Sequence, residues 1–355
     1  MIFRETPRQL GYRFPAEWET QAATWFSWPH KEDSWPERFA PIPAVFTEIV
    51  KILAGFQHVN INVIDRHMHD DVMTRLIKAG VDSGRFSLFP IPTNDAWCRD
   101  HGPAFVVNPE AEEPLAIIDW DYNAWGGKYP PYDLDDMVPT RIAEYRQVPL
   151  FYPGIIMEGG AIDVNGAGCL LTSAPCLLNP NRNPHLSQSQ VEWYLREYYN
   201  VEKILWVEEG IAGDDTDGHI DDSARFVSAD TIVAVVEDNR KDENYLPLQK
   251  NLRQLKKMTD PSGRLFRIVE LPMPRLLEFD GQRVPASYAN FLIANGVVLV
   301  PTFRDRNDDF ALSVLQDLFP ARRVIGIDCY DLVWGLGTLH CISQQEPLVK
   351  VEKVS

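Results

Sequence analysis

Five amphipathic helical patterns, each followed within a few residues by a short β-type run, constrain this chain more than any other feature of its sequence. Apolar residues recur at helical spacing over 41–54, 136–145, 187–199, 245–258 and 308–318. The β-type runs follow at 58–64, 149–152, 203–207, 265–271 and 322–328. Every helix but the first is also preceded by a strand-like run: Leu115 to Trp120, Cys169 to Ser173, Thr231 to Val236 and Val297 to Thr302. In the last pattern Asn307 and Asp308 offer an N-cap, while Phe310, Ala311, Val314, Leu315 and Leu318 form one apolar face and Pro320 stops the helix. A strand-helix-strand order that recurs in this way is tested first as a repeat architecture, and five units fit one closed ring. The expectation is therefore an α/β fold in a single domain over 1–355. No Gly/Ser-rich linker divides the chain and no Gly-rich phosphate loop follows a strand; a two-domain α/β arrangement is the alternative.

The 355 residues, 45% hydrophobic and 11% aromatic, supply enough apolar material for one large core or two ordinary ones. Residues 1–20 mix charges and prolines, unlike a signal peptide or membrane anchor, and the longest apolar run, Phe291 to Val300, is too short to span a bilayer. A cytoplasmic protein is expected. The five cysteines, at 98, 169, 176, 329 and 341, form no CxxC pair, so neither a disulfide framework nor a zinc site is suggested. A net charge of −17 disfavours nucleic acid and anionic lipid and favours cationic ligands, although an acidic surface also serves solubility alone.

The unusual polar residues fall in loops that occupy equivalent places in the repeat. Asn94 to Asp100 follows a strand pattern at 85–90, Glu158-Gly-Gly160 follows 149–152, Asp214 to Asp222 follows 203–207, and His340-Cys341 follows 322–328. Equivalent loops of a ring converge on its axis, which would bring these distant segments into one pocket. Cys341 lies among glycines and polar residues, where a thiol is either a nucleophile or an inert buried apolar group. Gly213 to Asp222 places five carboxylates around His219. His219 and Asp221, two apart, would share one face of an extended strand. A calcium loop of EF-hand type lacks its expected spacing here, and a solvated acidic turn is the other alternative. Trp97 and Asp100 add an aromatic and a carboxylate, and Glu158 precedes two glycines that let another backbone approach. A guanidinium is planar, stays protonated above about pH 12, and binds to carboxylate forks beneath an aromatic face. With a thiol to attack and a histidine to move protons, these parts suit metal-free hydrolysis of a guanidinium C–N bond.

Six motifs in order now carry a family resemblance: Asn94-Asp-Ala-Trp-x-Arg-Asp-x-Gly-Pro103, Asn123-Ala-Trp-Gly-Gly-Lys128, Glu158-Gly-Gly160, Asn181-Arg-Asn-Pro-His185, Gly213 to Asp222 and His340-Cys-Ile-Ser-Gln-Gln345. From about residue 10 to 349 the chain resembles the bacterial agmatine deiminases. The resemblance implies a five-fold pseudosymmetric α/β-propeller, the pentein fold, and hydrolysis of agmatine to N-carbamoylputrescine and ammonia in polyamine biosynthesis. It implies Cys341 as nucleophile, His219 as general acid and base, Asp100 and Asp221 as the guanidinium-binding pair, and Glu158 as a support of the same pocket. Trp97 and Trp125 would flank the substrate, and Asp215 would meet its distal ammonium. No cofactor or metal is implied, the partner is a small cation, and a homodimer is expected. One departure is visible: relatives usually show three glycines and an Asn before the His-Cys pair, where this chain has Gly335-Leu-Gly-Thr338.

The nearest rival is an arginine or peptidyl-arginine deiminase, which needs a base for the substrate carboxylate. Leaving His101 aside, Lys128 is the only basic side chain between Asp100 and Arg141, among eight carboxylates: Glu110, Glu112, Glu113, Asp119, Asp121, Asp133, Asp135 and Asp136. That count favours a substrate with an amine at its far end. A thiol protease or acyltransferase would not need the surplus acids, and a non-catalytic pentein that binds a macromolecule would not need Cys341.

Overall fold

A computed structural model describes residues 1–349, so residues 350–355 of the expected domain lie outside it. The chain is a mixed α/β fold whose strands are, in order, β1 Gln21–Ser27, β2 His58–Val63, β3 Phe86–Pro90, β4 Ala104–Val107, β5 Leu115–Ile118, β6 Leu150–Phe151, β7 Ile162–Val164, β8 Cys169–Ser173 and β9 Lys203–Val207. They continue as β10 Ala224–Ser228, β11 Thr231–Val236, β12 Arg267–Pro272, β13 Glu278–Phe279, β14 Gln282–Arg283, β15 Leu292–Ala294, β16 Val297–Thr302, β17 Arg323–Asp328 and β18 Ser343–Pro347.

Five sheets share one plan. A strand pairs antiparallel with a central strand, a helix follows the central strand, and the next strand returns parallel to it: β4-β5-β6, β7-β8-β9, β10-β11-β12, β15-β16-β17 and β18-β1-β2. The β18-β1-β2 sheet gains β3 on its outer edge, parallel to β2. Among the described residues the strands form separate sheets rather than one closed sheet. The pairing of β18 with β1 joins the two ends of the described chain.

The connecting helices are Ile42–Ala54, Val138–Arg146, Gln188–Tyr199, Tyr245–Leu255 and Asp308–Leu318, close to the predicted spans. In the first, Ile42, Phe46, Ile49, Val50 and Leu53 are fully buried at spacings of three and four, each worth roughly 1.5 to 3 kcal/mol of apolar transfer. The last departs from its predicted face: Ala311 and Leu315 are buried, but Phe310 is 59% exposed. Its predicted N-cap is also not made. The Asn307 amide donates instead to the Met273 carbonyl, and the Asp308 carboxylate accepts from the backbone N–H groups of Phe303 and Asp305, tying down the preceding loop.

Helix Arg66–Lys78 and strands β1, β4, β7, β10, β13, β14, β15 and β18 are absent from the predicted pattern. The helix buries only Val72 and Leu76, too little for an apolar stripe, and is capped by Asp65, which accepts from Met68 N at 2.8 Å. Strand β18, Ser-Gln-Gln-Glu-Pro, is wholly buried although polar, because Arg99 donates to Gln344 and Gln345 and Trp25 Nε1 donates to Glu346 at 2.8 Å. No described helix is long and apolar enough to cross a membrane.

Candidate active site

Parallel strands aim their carboxyl ends the same way, and ligands of open α/β sheets gather there. The segments leaving β3, β6, β9 and β17 carry the four polar clusters, and they meet. The segment leaving β12 joins them, bringing Ser287 and Asn290. A cavity of about 290 Å³ runs inward from exposed Asp33, Tyr129 and Gln282 to buried Asp100 and Cys341. Trp97, Trp125, Trp334, Leu336 and Phe279 supply apolar wall, and Lys31, Asp95 and Asp215 add charge.

Asp100 sits in a single helical turn, Cys98–His101. Its Oδ1 accepts from Gly160 N at 2.9 Å and its Oδ2 from Trp125 Nε1 at 3.0 Å. Trp125 reaches it from a left-handed run, Ala124 to Gly127, whose φ angles are 52°, 55°, 92° and 78°. Trp97 stacks on Trp35 with ring centroids 5.4 Å apart and meets Trp125 edge-on. Burial, reinforced by Asp221 and Glu158, raises the Asp100 carboxyl to about 6 against the pull of His219.

His219 Nδ1 lies 3.6 Å from Asp100 Oδ1, and among the described residues neither ring nitrogen has a hydrogen-bond partner. Its backbone N–H is fixed by Asp214 Oδ2 at 2.9 Å. Burial alone would lower its pKa, but Asp100, Cys176 and Asp221 hold the imidazole well above the ordinary value. His219 and Asp221 do not share an extended strand as expected: His219 leads into a one-turn 3₁₀ helix, Ile220–Asp222. They converge through Gly160, where a Cβ would stand 2.6 Å from His219 Nδ1 and 3.1 Å from Asp221 Oδ2. A side chain there has no room, which explains the second glycine of the Glu158 motif.

Asp221 Oδ2 lies 2.7 Å from His340 Nδ1 and 3.8 Å from Cys341 Sγ. Asp221 is desolvated, yet the His340 hydrogen bond and charge keep its carboxylate below the ordinary range. An ionised carboxylate only accepts, so His340 Nδ1 presents a hydrogen to Asp221, and its Nε2 lies 3.4 Å from a second carboxylate, Glu17. Cys341, 6% exposed, is pushed well above the ordinary thiol range by burial and by Asp221, Asp222 and Asp100. Gly337 leaves it space, for a Cβ there would stand 2.6 Å from the Trp97 ring and 3.0 Å from Cys341 Cβ. Leu336 of the departing motif takes a left-handed φ of 69° and lines the cavity.

Glu158 is fully buried behind the cavity, where Arg182 Nε donates to it at 2.5 Å and Cys176 Sγ lies 4.0 Å away. Arg182 also pairs with Asp217 at 2.6 Å. Asp215 lines the cavity, but its carboxylate already accepts from the Tyr129 hydroxyl and lies 3.5 Å from Lys128 Nζ. None of the eight carboxylates counted between Asp100 and Arg141 lines the cavity. The linear neighbourhood of Lys128 is not its spatial one: it pairs with Asp215 and Asp217, from the segment leaving β9.

Among the described residues two groups bring possible metal ligands together, Glu158 with Cys176 and His219, and Asp221 with Asp222 and Cys341. In each, one carboxylate is already engaged, Glu158 by Arg182 and Asp222 by Asn290. Sequence reasoning gave no role to Arg182, Cys176, His340 or Asn290. Arg182 and His340 stand inside quoted motifs; Cys176 and Asn290 had no local signal.

A mixed α/β fold that sets a thiol and buried carboxylates in one tryptophan-walled cavity, with an imidazole packed behind Asp100, defines a cysteine-bearing site suited to a cationic ligand. Known proteins share this fold and are similar in sequence along nearly the whole chain. Residues 13–347 match the Porphyromonas-type peptidyl-arginine deiminase family, and the chain belongs to it. An agmatine deiminase of Pseudomonas aeruginosa is 37% identical over 96% of this chain and 97% of its own. The structure of an agmatine deiminase from Enterococcus faecalis superposes with a TM-score of 0.91 at 34% identity, covering 98% of each chain. An agmatine deiminase of C. jejuni with substrate bound gives 0.85 at 34% identity over 94% and 96% of the two chains.

Proposed function

We propose that the protein hydrolyses the guanidinium of agmatine to N-carbamoylputrescine and ammonia, with Cys341 as nucleophile. The observation that carries this is the placement of Cys341 at the buried end of a tryptophan-walled cavity that Asp100 also lines, with Asp221 Oδ2 3.8 Å from the sulfur. Two carboxylates there can grip the guanidinium nitrogens while Trp97 and Trp125 cover its faces. Because the acids raise the Cys341 thiol, the arriving cation itself offsets them and favours loss of the thiol proton. The thiolate then attacks the guanidinium carbon. As that tetrahedral centre collapses, the C–N bond breaks and His219, protonated beforehand, gives its proton to the leaving ammonia. Water enters, its oxygen bonds to the amidino carbon as His219 takes one proton from it, and the S–C bond of that tetrahedral centre then breaks to restore the thiolate and release the ureido product, whose oxygen gives its remaining proton to the departing ammonia or to solvent. This reading includes a single domain whose five sheets are blades of a pseudosymmetric propeller, supported by their common strand order.

A second reading, an arginine or peptidyl-arginine deiminase, is favoured by Lys128 beside Asp215, a cation near the cavity that could meet a substrate carboxylate. Ammonia release measured against agmatine, arginine, methylarginines and an arginyl peptide separates the two. Agmatine is expected to be turned over best, by protein exhaustively treated with chelator as well as untreated; efficient turnover of arginine or the peptide would leave only the deiminase class standing.

A further inference from the structure

The segment that leaves β12 delivers one carboxamide to the thiol. Asn290 is 1% exposed, and its Oδ1 accepts from Thr338 Oγ1 at 2.8 Å, His340 N at 3.0 Å and Cys341 N at 3.4 Å. Two of those donors are backbone N–H groups, which cannot accept, so the oxygen of the amide must face them. Nδ2 is thereby forced to the opposite side, where it lies 3.0 Å from Cys341 Sγ and 3.0 Å from Asp222 Oδ1. Its two hydrogens have two acceptors, one sulfur and one carboxylate.

An amide N–H only donates, and it stabilises sulfur far more as a thiolate than as a thiol. The carboxylates near the sulfur work the opposite way: Asp221, Asp222 and Asp100 all oppose a negative charge there, and the Thr338 backbone N–H is the other group that favours one. Asn290 is thus the side-chain donor seen on Cys341, and it is clamped at its far end by the same turn that carries the cysteine. We propose that Asn290 is a positioning residue, which holds the Cys341 sulfur in place and lowers the free energy of its thiolate through the Nδ2 hydrogen bond. The proposal rests on the reading of Cys341 as nucleophile. Thr338 has a part in it, since its hydroxyl orients the amide.

The test reads the sulfur directly. Alkylation of Cys341 by iodoacetamide, assigned by mass, is followed against pH in the wild type, Asn290→Leu, Asn290→Asp and Thr338→Val, with agmatine turnover measured alongside. Asn290→Leu keeps the shape but has no donor; its alkylation midpoint should rise by about one to two units, and kcat should fall by at least about 30-fold with KM within about threefold. Asn290→Asp should move the midpoint further, by replacing the donor with an acceptor. Thr338→Val touches only the clamp, and should give a smaller shift in the same direction even if the Leu variant fails to fold. An unchanged midpoint, within about 0.3 unit in every folded variant, overturns the proposal. A shifted midpoint with normal turnover would instead uphold the contact and remove Cys341 from the reaction.

Discussion

His219 and Asp100 face each other with Nδ1 and Oδ1 3.6 Å apart, both buried. The pair is held by charge, and both ring nitrogens of His219 are left without a hydrogen bond among the described residues. A histidine raised in the folded state contributes stability that is fully present below its unfolded value, near pH 6.5, and is lost as pH rises through the higher folded value. The same shift keeps His219 protonated at neutral pH, the form that an acid for the first step requires.

Asp100→Asn should therefore act twice. It removes one arm of the proposed guanidinium grip and the largest charge that holds His219 protonated. We expect kcat/KM for agmatine to drop by at least about 100-fold, and the His219 ring titration, followed by proton NMR, to move down. A titration that stays in place would show that Asp100 does not set the charge of His219.

Arg182 and Glu158 form an ion pair with both side chains fully buried. Removing one partner of such a pair strands the other, at roughly 3 to 5 kcal/mol. Arg182→Met should lower unfolding stability by about that amount in urea, whereas Glu158→Gln, which still accepts from Arg182 and leaves it paired with Asp217, should cost roughly 1 to 2 kcal/mol. Equal losses in the two variants would contradict this asymmetry. Cys176, 4.0 Å from both partners, makes Cys176→Ala a sensitive substitution here, and Cys169→Ala the cleaner control.

The helices were legible because burying one face of a helix against a sheet imposes apolar periodicity; Asp308–Leu318 falls on its predicted span and Tyr245–Leu255 within three residues of it. Convergence of the polar loops was legible too, since parallel strands send their carboxyl ends to one side. Strand β18 was not, because its polar side chains are satisfied by Arg99 and Trp25, residues more than 200 positions away. Asn290 was invisible for the same reason: its partners Thr338, His340 and Cys341 lie 48 to 51 positions along the chain. Counting carboxylates around Lys128 failed because linear distance stood in for space.

Asp135 offers a test by pH. Burial and the neighbouring Asp95 raise its carboxyl to about 8, although Asn94 N and Asp95 N both donate to its Oδ1. The folded protein thus keeps a proton that the unfolded chain releases near pH 4, so this group's contribution falls as pH rises from about 4 to about 8. Asp135→Asn keeps the accepting oxygen and removes the charge. It should be more stable than the wild type by up to about 5 kcal/mol at pH 9 and closely matched below pH 4. A stability difference that does not vary with pH would reject the shift.

Specificity is expected to turn on Asp215, which lines the cavity with Tyr129 and lies 3.5 Å from Lys128 Nζ. The ammonium of agmatine would compete with Lys128 for a carboxylate 3.5 Å from its Nζ, while the carboxylate of arginine would be drawn to Lys128 and repelled by Asp215. The two effects oppose each other, and both side chains are partly exposed, at 27% and 39%, so each is worth about 1 kcal/mol at most. Asp215→Asn should accordingly reduce the ratio of kcat/KM for agmatine over arginine by about threefold to fivefold, chiefly by weakening agmatine. Lys128→Met should move the ratio the other way, by freeing Asp215 for the ammonium and leaving the arginine carboxylate without a cation. Asp217, the other partner of Lys128, keeps Arg182 and Asn181, so the loop is held in both variants. Opposite movements of the ratio, with kcat on the preferred substrate retained within about threefold in Lys128→Met, are the expected pair of outcomes. If both substitutions shift the ratio in the same direction, the distal end of the ligand does not lie between these two residues.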